Sequence, residues 1–219
     1  MELKGLKINF LGDSITEGVG ASDPSKCYVS LIAERTGAVC RNYGISGTRI
    51  ARQQDPYYDG EGVDQCFCTR FDGMDPDADV IVIFGGTNDY GHGDAPIGNF
   101  MDRTPDTFYG ALHYLYTNLL TKYPKAQFLI LTPLHRGYED WQGPNMPVWD
   151  PPKVLKTYVD CIRRVAEYYS LPVLDLFANS GIQPAIPILK EMYMPDWLHP
   201  NDAGHDIVAK KVIKALELL

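Results

Sequence analysis

The chain has 219 residues, and its 28 acidic against 20 basic side chains leave a formal net charge of −8. That length suits one domain, read here as a single unit over 1–219, and 45% hydrophobic with 22% charged residues excludes disordered and fibrous classes. The acidic balance argues against nucleic acid or an anionic membrane as partner, because phosphate-rich surfaces are bound through excess Lys and Arg.

The elements follow in chain order. Leu6–Leu11 is a short apolar run of the kind found in buried parallel strands, and a weaker helical pattern covers about Lys26–Arg35, stopping at Gly37 as a C-terminal cap. Ala38–Asn42 reads as a second strand. The stretch Gly44–Asp75 is irregular, and Asp79–Phe84 is a third strand. A second irregular stretch, Tyr90–Thr104, precedes a helical stripe of Phe108, Ala111, Leu112, Leu115 and Leu119. Gln127–Leu131 is a fourth strand, followed by irregular His135–Pro152 and a stripe of Leu155, Tyr158, Ile162, Val165 and Tyr169. Pro172–Leu176 is a fifth strand, and Val208, Val212, Ala215, Leu216 and Leu219 mark a closing helix.

Strands alternating with amphipathic helices predict a parallel sheet covered on both faces, joined by right-handed crossovers. In such sheets ligands bind beyond the carboxyl ends of the strands. The chemistry is therefore sought in the residues that follow each strand.

After the first strand comes Gly12-Asp13-Ser14-Ile15-Thr16-Glu17. Ser14 can project a hydroxyl over the sheet end, yet Ser14-x-x-Glu17 also reads as a helix capping box. After the second comes Asn42-Tyr43-Gly44-Ile45-Ser46-Gly47, either a backbone N–H donor loop or an ordinary glycine turn. After the third comes Gly85-Gly86-Thr87-Asn88-Asp89, where Asn88 is either a fixed amide donor or a turn residue. Before the closing helix stands Asp196-Trp197-Leu198-His199-Pro200, with the carboxylate spaced to accept from one ring nitrogen of His199. A histidine in that place is more often structural. Each block is weak alone, but together they supply a nucleophile, a base with its orienter, and donors for an oxyanion, which is the set that acyl transfer requires.

The four blocks resemble those of the SGNH hydrolase superfamily, the GDSL-type lipases and esterases. Gly-Asp-Ser stands at Gly12–Ser14, Asn-x-x-x-x-Gly at Asn42–Gly47, Gly-x-Asn-Asp at Gly86–Asp89 and Asp-x-x-His-Pro at Asp196–Pro200, in the family's order. One departure is Ile15, where the family has Leu. The resemblance implies a flavodoxin-like three-layer α/β/α sandwich with about five parallel strands. It implies Ser14 as nucleophile, His199 as base and Asp196 as its partner. The oxyanion hole would be formed by Ser14, Gly47 and Asn88, Gly47 being favoured over Gly44 by its spacing from Asn42. It calls for no cofactor and no metal.

The expected function is a serine esterase acting on short acyl chains, such as O-acetyl groups on a carbohydrate or another small substrate. A lysophospholipase or thioesterase is the alternative within the family. The loops Tyr90–Phe100 and His135–Trp149 should rim the site with Tyr90, His92, Tyr138, Trp141 and Trp149, either stacking on sugar rings or packing the loops down. Outside the family, Asp13, Asn88, Asp89, His199 and His205 can be imagined as ligands of a metal-dependent phosphoesterase. A flavin- or nucleotide-binding protein of the same architecture is disfavoured, because Gly12–Gly18 carries neither phosphate-binding glycine fingerprint. A binding module that has lost catalysis is the weakest reading, since every catalytic residue type is present. No signal-like segment or run of ~18 apolar residues appears, so a cytoplasmic setting is expected. Cys27, Cys40, Cys66, Cys68 and Cys161 are odd in number and scattered, which suits free thiols in a reducing compartment.

Overall fold

The computed structural model describes residues 1–55, 65–140 and 154–219. Along the chain run β1 (Lys7–Gly12), α1 (Ser14–Glu17), α2 (Tyr28–Thr36), β2 (Val39–Gly44), α3 (Phe67–Arg70) and β3 (Val80–Phe84). They are followed by α4 (Thr87–Gly91), α5 (Phe108–Lys122), β4 (Gln127–Leu131), α6 (Leu155–Tyr168) and β5 (Val173–Leu174). The last elements are α7 (Leu176–Asn179), α8 (Pro187–Tyr193) and α9 (Asp202–Glu217).

The strands form one parallel sheet in the order β2-β1-β3-β4-β5. Strand side chains alternate between faces, and the sequence supplies an apolar residue for both. Leu11, Ile81, Ile83, Phe128 and Ile130 pack into one core with residues of α3, α5 and α6. Ile8, Phe10, Val82, Phe84, Leu129 and Leu131 pack into the other with α2 and α9. The result is the three-layer arrangement expected from the alternating pattern. In register, Gly12 stands opposite both Gly44 and Phe84, so β1, β2 and β3 end level with one another. Since β2 and β3 flank β1 on opposite sides, the order reverses there, and the loops that follow these strands meet at one point.

Several local differences from the sequence reading have simple causes. β2 is an edge strand with Val39 49% exposed, rather than a strand buried on both faces. β5 is cut to two residues because Asp175 caps α7, accepting from the N–H of Ala178 at 3.1 Å. The stretch Gly44–Asp75 contains α3 and a 3-10 turn at Phe71–Gly73, and α8 was not expected at all. Such short helices are too brief to display a periodic stripe. The helix near Lys26–Arg35 is α2, and it ends at Gly37 in the left-handed conformation (φ 71°) as the cap reading required. The five cysteines are free thiols. Among the described residues no helix is long and apolar enough to cross a membrane.

Candidate active site

The serine block begins where β1 stops. Asp13 is extended, and its Oδ1 accepts the N–H of Ile15 at 3.0 Å, which makes Asp13 the N-cap of α1. Ser14 is the first helical residue, so its hydroxyl is not used by the helix end. Glu17 does not reach back as a capping box would. Its Oε2 accepts the N–H of Ser46 at 2.7 Å and the Ser46 hydroxyl, tying α1 to the loop after β2. Ser14 is 5% exposed, and its Oγ lies 3.0 Å from His199 Nε2.

The spacing Asp196-x-x-His199 acts through a carboxylate turn. Asp196 Oδ1 accepts the N–H groups of Leu198 (2.9 Å) and His199 (2.7 Å), while Oδ2 lies 2.6 Å from His199 Nδ1. Trp197, between them, is held at φ 71°, and its carbonyl accepts the N–H of Gly137 at 2.7 Å. Burial raises the Asp196 carboxyl, but the N–H and ring of His199 and the N–H of Leu198 outweigh it and hold it below the usual carboxylate range. An ionised carboxylate can only accept, so Nδ1 carries a proton and Nε2 is the ring nitrogen that faces Ser14.

The donor side is assembled from the other two strand ends. Asn42 Oδ1 accepts the N–H of Gly44 (2.8 Å) and its Nδ2 donates to the Thr16 carbonyl (2.6 Å). Gly44 is a close approach: a Cβ there would lie 2.1 Å from the backbone nitrogen of Glu17. Its N–H is thus committed, whereas Gly47 has open space around it, a φ of 74°, and no acceptor for its N–H among the described residues. Asn88 sits in α4 and donates one Nδ2 hydrogen to the Thr48 carbonyl at 3.0 Å, leaving the second for the cavity that it lines. Ser14, Gly47, Asn88 and His199 all line that cavity, of about 340 Å³.

The sequence reading did not find the groups beneath and beside these. Arg70 of α3 donates to the carbonyls of Gly12 and Tyr43 and to Thr48 Oγ1 (3.0 Å), with its guanidinium over the Phe67 ring. Burial lowers its pKa to about 10, which still leaves it charged at neutral pH. Arg136 also lines the cavity, its Nη1 donating to the carbonyl (3.0 Å) and hydroxyl (3.2 Å) of Thr87. Both lie in stretches read as irregular, where periodicity gives no hint of burial. The carboxyl of Asp13 is pushed up to about 7 by burial, and that of Asp89 to about 6. Asp89 is occupied with the N–H groups of Ile50 and Ala51, both at 2.9 Å.

The expected aromatic rim is only partly realised. Tyr90 is buried in α4, where its ring packs edge-on to Tyr158 and its hydroxyl donates to the Tyr138 carbonyl, so it is a packing residue and not a rim residue. His92 lines the cavity, and exposed Tyr138 stacks on Trp197 at 6.1 Å between ring centroids. Trp141 and Trp149 lie outside the described residues. The metal-ligand set does not converge. His205 accepts the N–H of Tyr28 at Nδ1 and contacts the Val19 carbonyl through Nε2, both at 3.3 Å. Among the described residues no three His, Cys, Asp or Glu side chains gather around a common point.

Comparison with known proteins bears on the family. The model of the GDSL-like lipase/acylhydrolase family matches residues 10–207. One solved structure is 32% identical, with a TM-score of 0.86, covering 100% of this chain and 99% of that one. Another, a protein from Lactobacillus plantarum, is 31% identical at a TM-score of 0.84, covering 98% of each chain. Two more show likeness of fold. An alpha/beta hydrolase enzyme from the metagenome of Lake Arreo, Spain, is 20% identical at a TM-score of 0.63, covering 98% of this chain and 96% of that one. A two-domain esterase active on acetylated mannans, co-crystallized with mannopentaose, is 22% identical at 0.59, covering 99% of this chain and 50% of that one. No curated protein matches. Because the family model spans both the serine block at the end of β1 and the histidine block before α9, the chain belongs to the GDSL-like lipase/acylhydrolase family and is a hydrolase of ester bonds.

Proposed function

We propose that the chain is a serine esterase that removes short acyl groups, such as O-acetyl groups on a carbohydrate or another small alcohol, through an acyl-enzyme on Ser14. The observation that carries this reading is the continuous contact from Ser14 Oγ to His199 Nε2 (3.0 Å) and from His199 Nδ1 to Asp196 Oδ2 (2.6 Å).

In the proposed reaction His199 takes the Ser14 proton as Oγ attacks the ester carbonyl, and Asp196 stabilises the imidazolium. The oxyanion is received by the N–H groups of Ser14 and Gly47 and by the Asn88 amide. Each such donor lowers the barrier by roughly 2.7–4 kcal/mol where comparable groups have been removed from other enzymes. His199 then protonates the leaving alkoxide, and a water repeats the sequence to release the acid. The site is an open cavity of about 340 Å³. Support for a sugar alcohol comes from the exposed Tyr138–Trp197 stack beside it and from the similarity to an esterase active on acetylated mannans.

The test is hydrolysis of p-nitrophenyl acetate and its longer-chain homologues by wild type and Ser14→Ala, with and without chelator. Chelator-insensitive turnover that collapses in Ser14→Ala and falls with chain length is the expected result. Wild-type rates in Ser14→Ala would remove the proposal.

A further inference from the structure

The cavity beside Ser14 has a charge character that ester hydrolysis alone does not call for. In a chain with 28 acidic and 20 basic residues, the residues lining it include no carboxylate and one permanent cation, Arg136. That guanidinium is held in place: Nη1 is tied to Thr87, the plane lies over the Tyr90 ring at 5.5 Å, and it packs on Gly91, where a Cβ would come within 2.7 Å of Nη1. Its Nε is buried with no hydrogen-bond partner, and Nη2 has no acceptor among the described residues. Nor does Arg136 form an ion pair there, since the nearby Glu139 carboxylate is engaged with His135 Nδ1 at 2.7 Å and accepts only the backbone N–H of Arg136. A positioned arginine whose Nη2 is uncommitted, at a cavity with no carboxylate among its lining residues, has a donor to offer an anion there, while the Asp13 and Asp196 carboxylates act on it from outside that lining.

We propose that Arg136 is a specificity-determining residue that pairs with a carboxylate on the non-reacting part of the ester, so that the preferred substrates are esters carrying one negative charge close to the scissile bond. One cation matches one monoanion. The same cavity holds Ser14 and His199, so charge and carbonyl are bound together. Arg136 also borders a second recess, shared with Tyr138, Trp197 and Ala185, into which the remainder of such a substrate can extend. This inference rests on the serine esterase reading for its reaction, but its readout is separate.

The experiment measures kcat/KM for matched charged and neutral esters: 4-acetoxybenzoate against its methyl ester, and mono-4-nitrophenyl succinate against its methyl ester. Wild type is expected to prefer the charged member of at least one pair. In Arg136→Gln that charged-to-neutral ratio is expected to fall about tenfold or more, mainly through KM, with Arg136→Lys intermediate. A purely structural arginine would lower both members in parallel and leave the ratio unmoved, which would overturn the proposal. So would a wild-type preference for the neutral member of both pairs, a result that needs no variant to fold. Ser14→Ala, run on the same pairs, reports on the nucleophile alone, so failure of the serine reading is distinguishable from failure of the anion site.

Discussion

The side-chain amide of Asn88, in α4 shortly after β3, donates to the backbone carbonyl of Thr48, in the loop after β2, at 3.0 Å. The helix after β3 and the loop after β2 are thereby joined by a hydrogen bond that is itself buried. Gly47 immediately precedes Thr48, so the two donors proposed for the oxyanion lie on either side of this bond.

Asn88→Ala therefore removes one donor and the bond that lies beside the other. The expected loss in kcat is about a hundred- to a thousandfold, with KM little changed, as for interactions made only in the transition state. Steady-state kinetics on p-nitrophenyl acetate checks it. A change confined to KM would mean that Asn88 contacts the substrate without stabilising the oxyanion.

Asp13 makes a prediction about pH and stability. Burial raises its folded-state carboxyl to about 7, well above an unfolded aspartate. Between roughly pH 4 and pH 7 the native state thus holds a proton that the unfolded chain has released, and this group's contribution to stability declines as pH rises through that window. Asn at this position keeps the capping oxygen and cannot ionise. Asp13→Asn should gain on wild type as pH rises from 5 to 8, by on the order of a few kcal/mol. Urea midpoints of both proteins across that range test this, and a difference independent of pH would contradict the assignment.

Arg70 lies under the site, and its loss should be felt first in stability. Arg70→Met leaves the carbonyls of Gly12 and Tyr43 and the Thr48 hydroxyl without that donor, all at the ends of β1 and β2. The Gly12 carbonyl keeps the Ile45 N–H (3.2 Å) and the Thr48 hydroxyl still donates to the Ile45 carbonyl (2.7 Å), so the expected loss is that of hydrogen bonds to a charged donor, about 1.5–3 kcal/mol, or roughly 3–12 °C in Tm. Calorimetry measures it directly. An unchanged Tm would show that water replaces the guanidinium without penalty.

How much of this was legible beforehand depended on distance along the chain. The alternation of apolar runs and stripes carries the layer order, since the periods of two and 3.6 are properties of consecutive residues. Asp196 and His199 were legible as a pair for the same reason, being three positions apart in a turn that their own spacing builds. Ser14 and Asn88 were legible as candidates because strand ends are where such a sheet binds ligands.

The contacts that join distant segments were decided only by the tertiary structure. Ser14 and His199 are separated by 185 positions, and only the crossovers that bring α9 back beside α2 put Nε2 3.0 Å from Oγ. Whether Ser14 caps α1 or projects its hydroxyl over the sheet end was ambiguous in sequence, because Ser14-x-x-Glu17 fits a capping box. The structure assigns the cap to Asp13, whose side chain accepts the Ile15 N–H, and turns Glu17 toward Ser46. Arg70 and Arg136 sit in aperiodic segments and look like surface residues when read along the chain. Their guanidinium groups donate to the carbonyls of Gly12, Tyr43 and Thr87, an arrangement that exists only after the strand ends and loops have met.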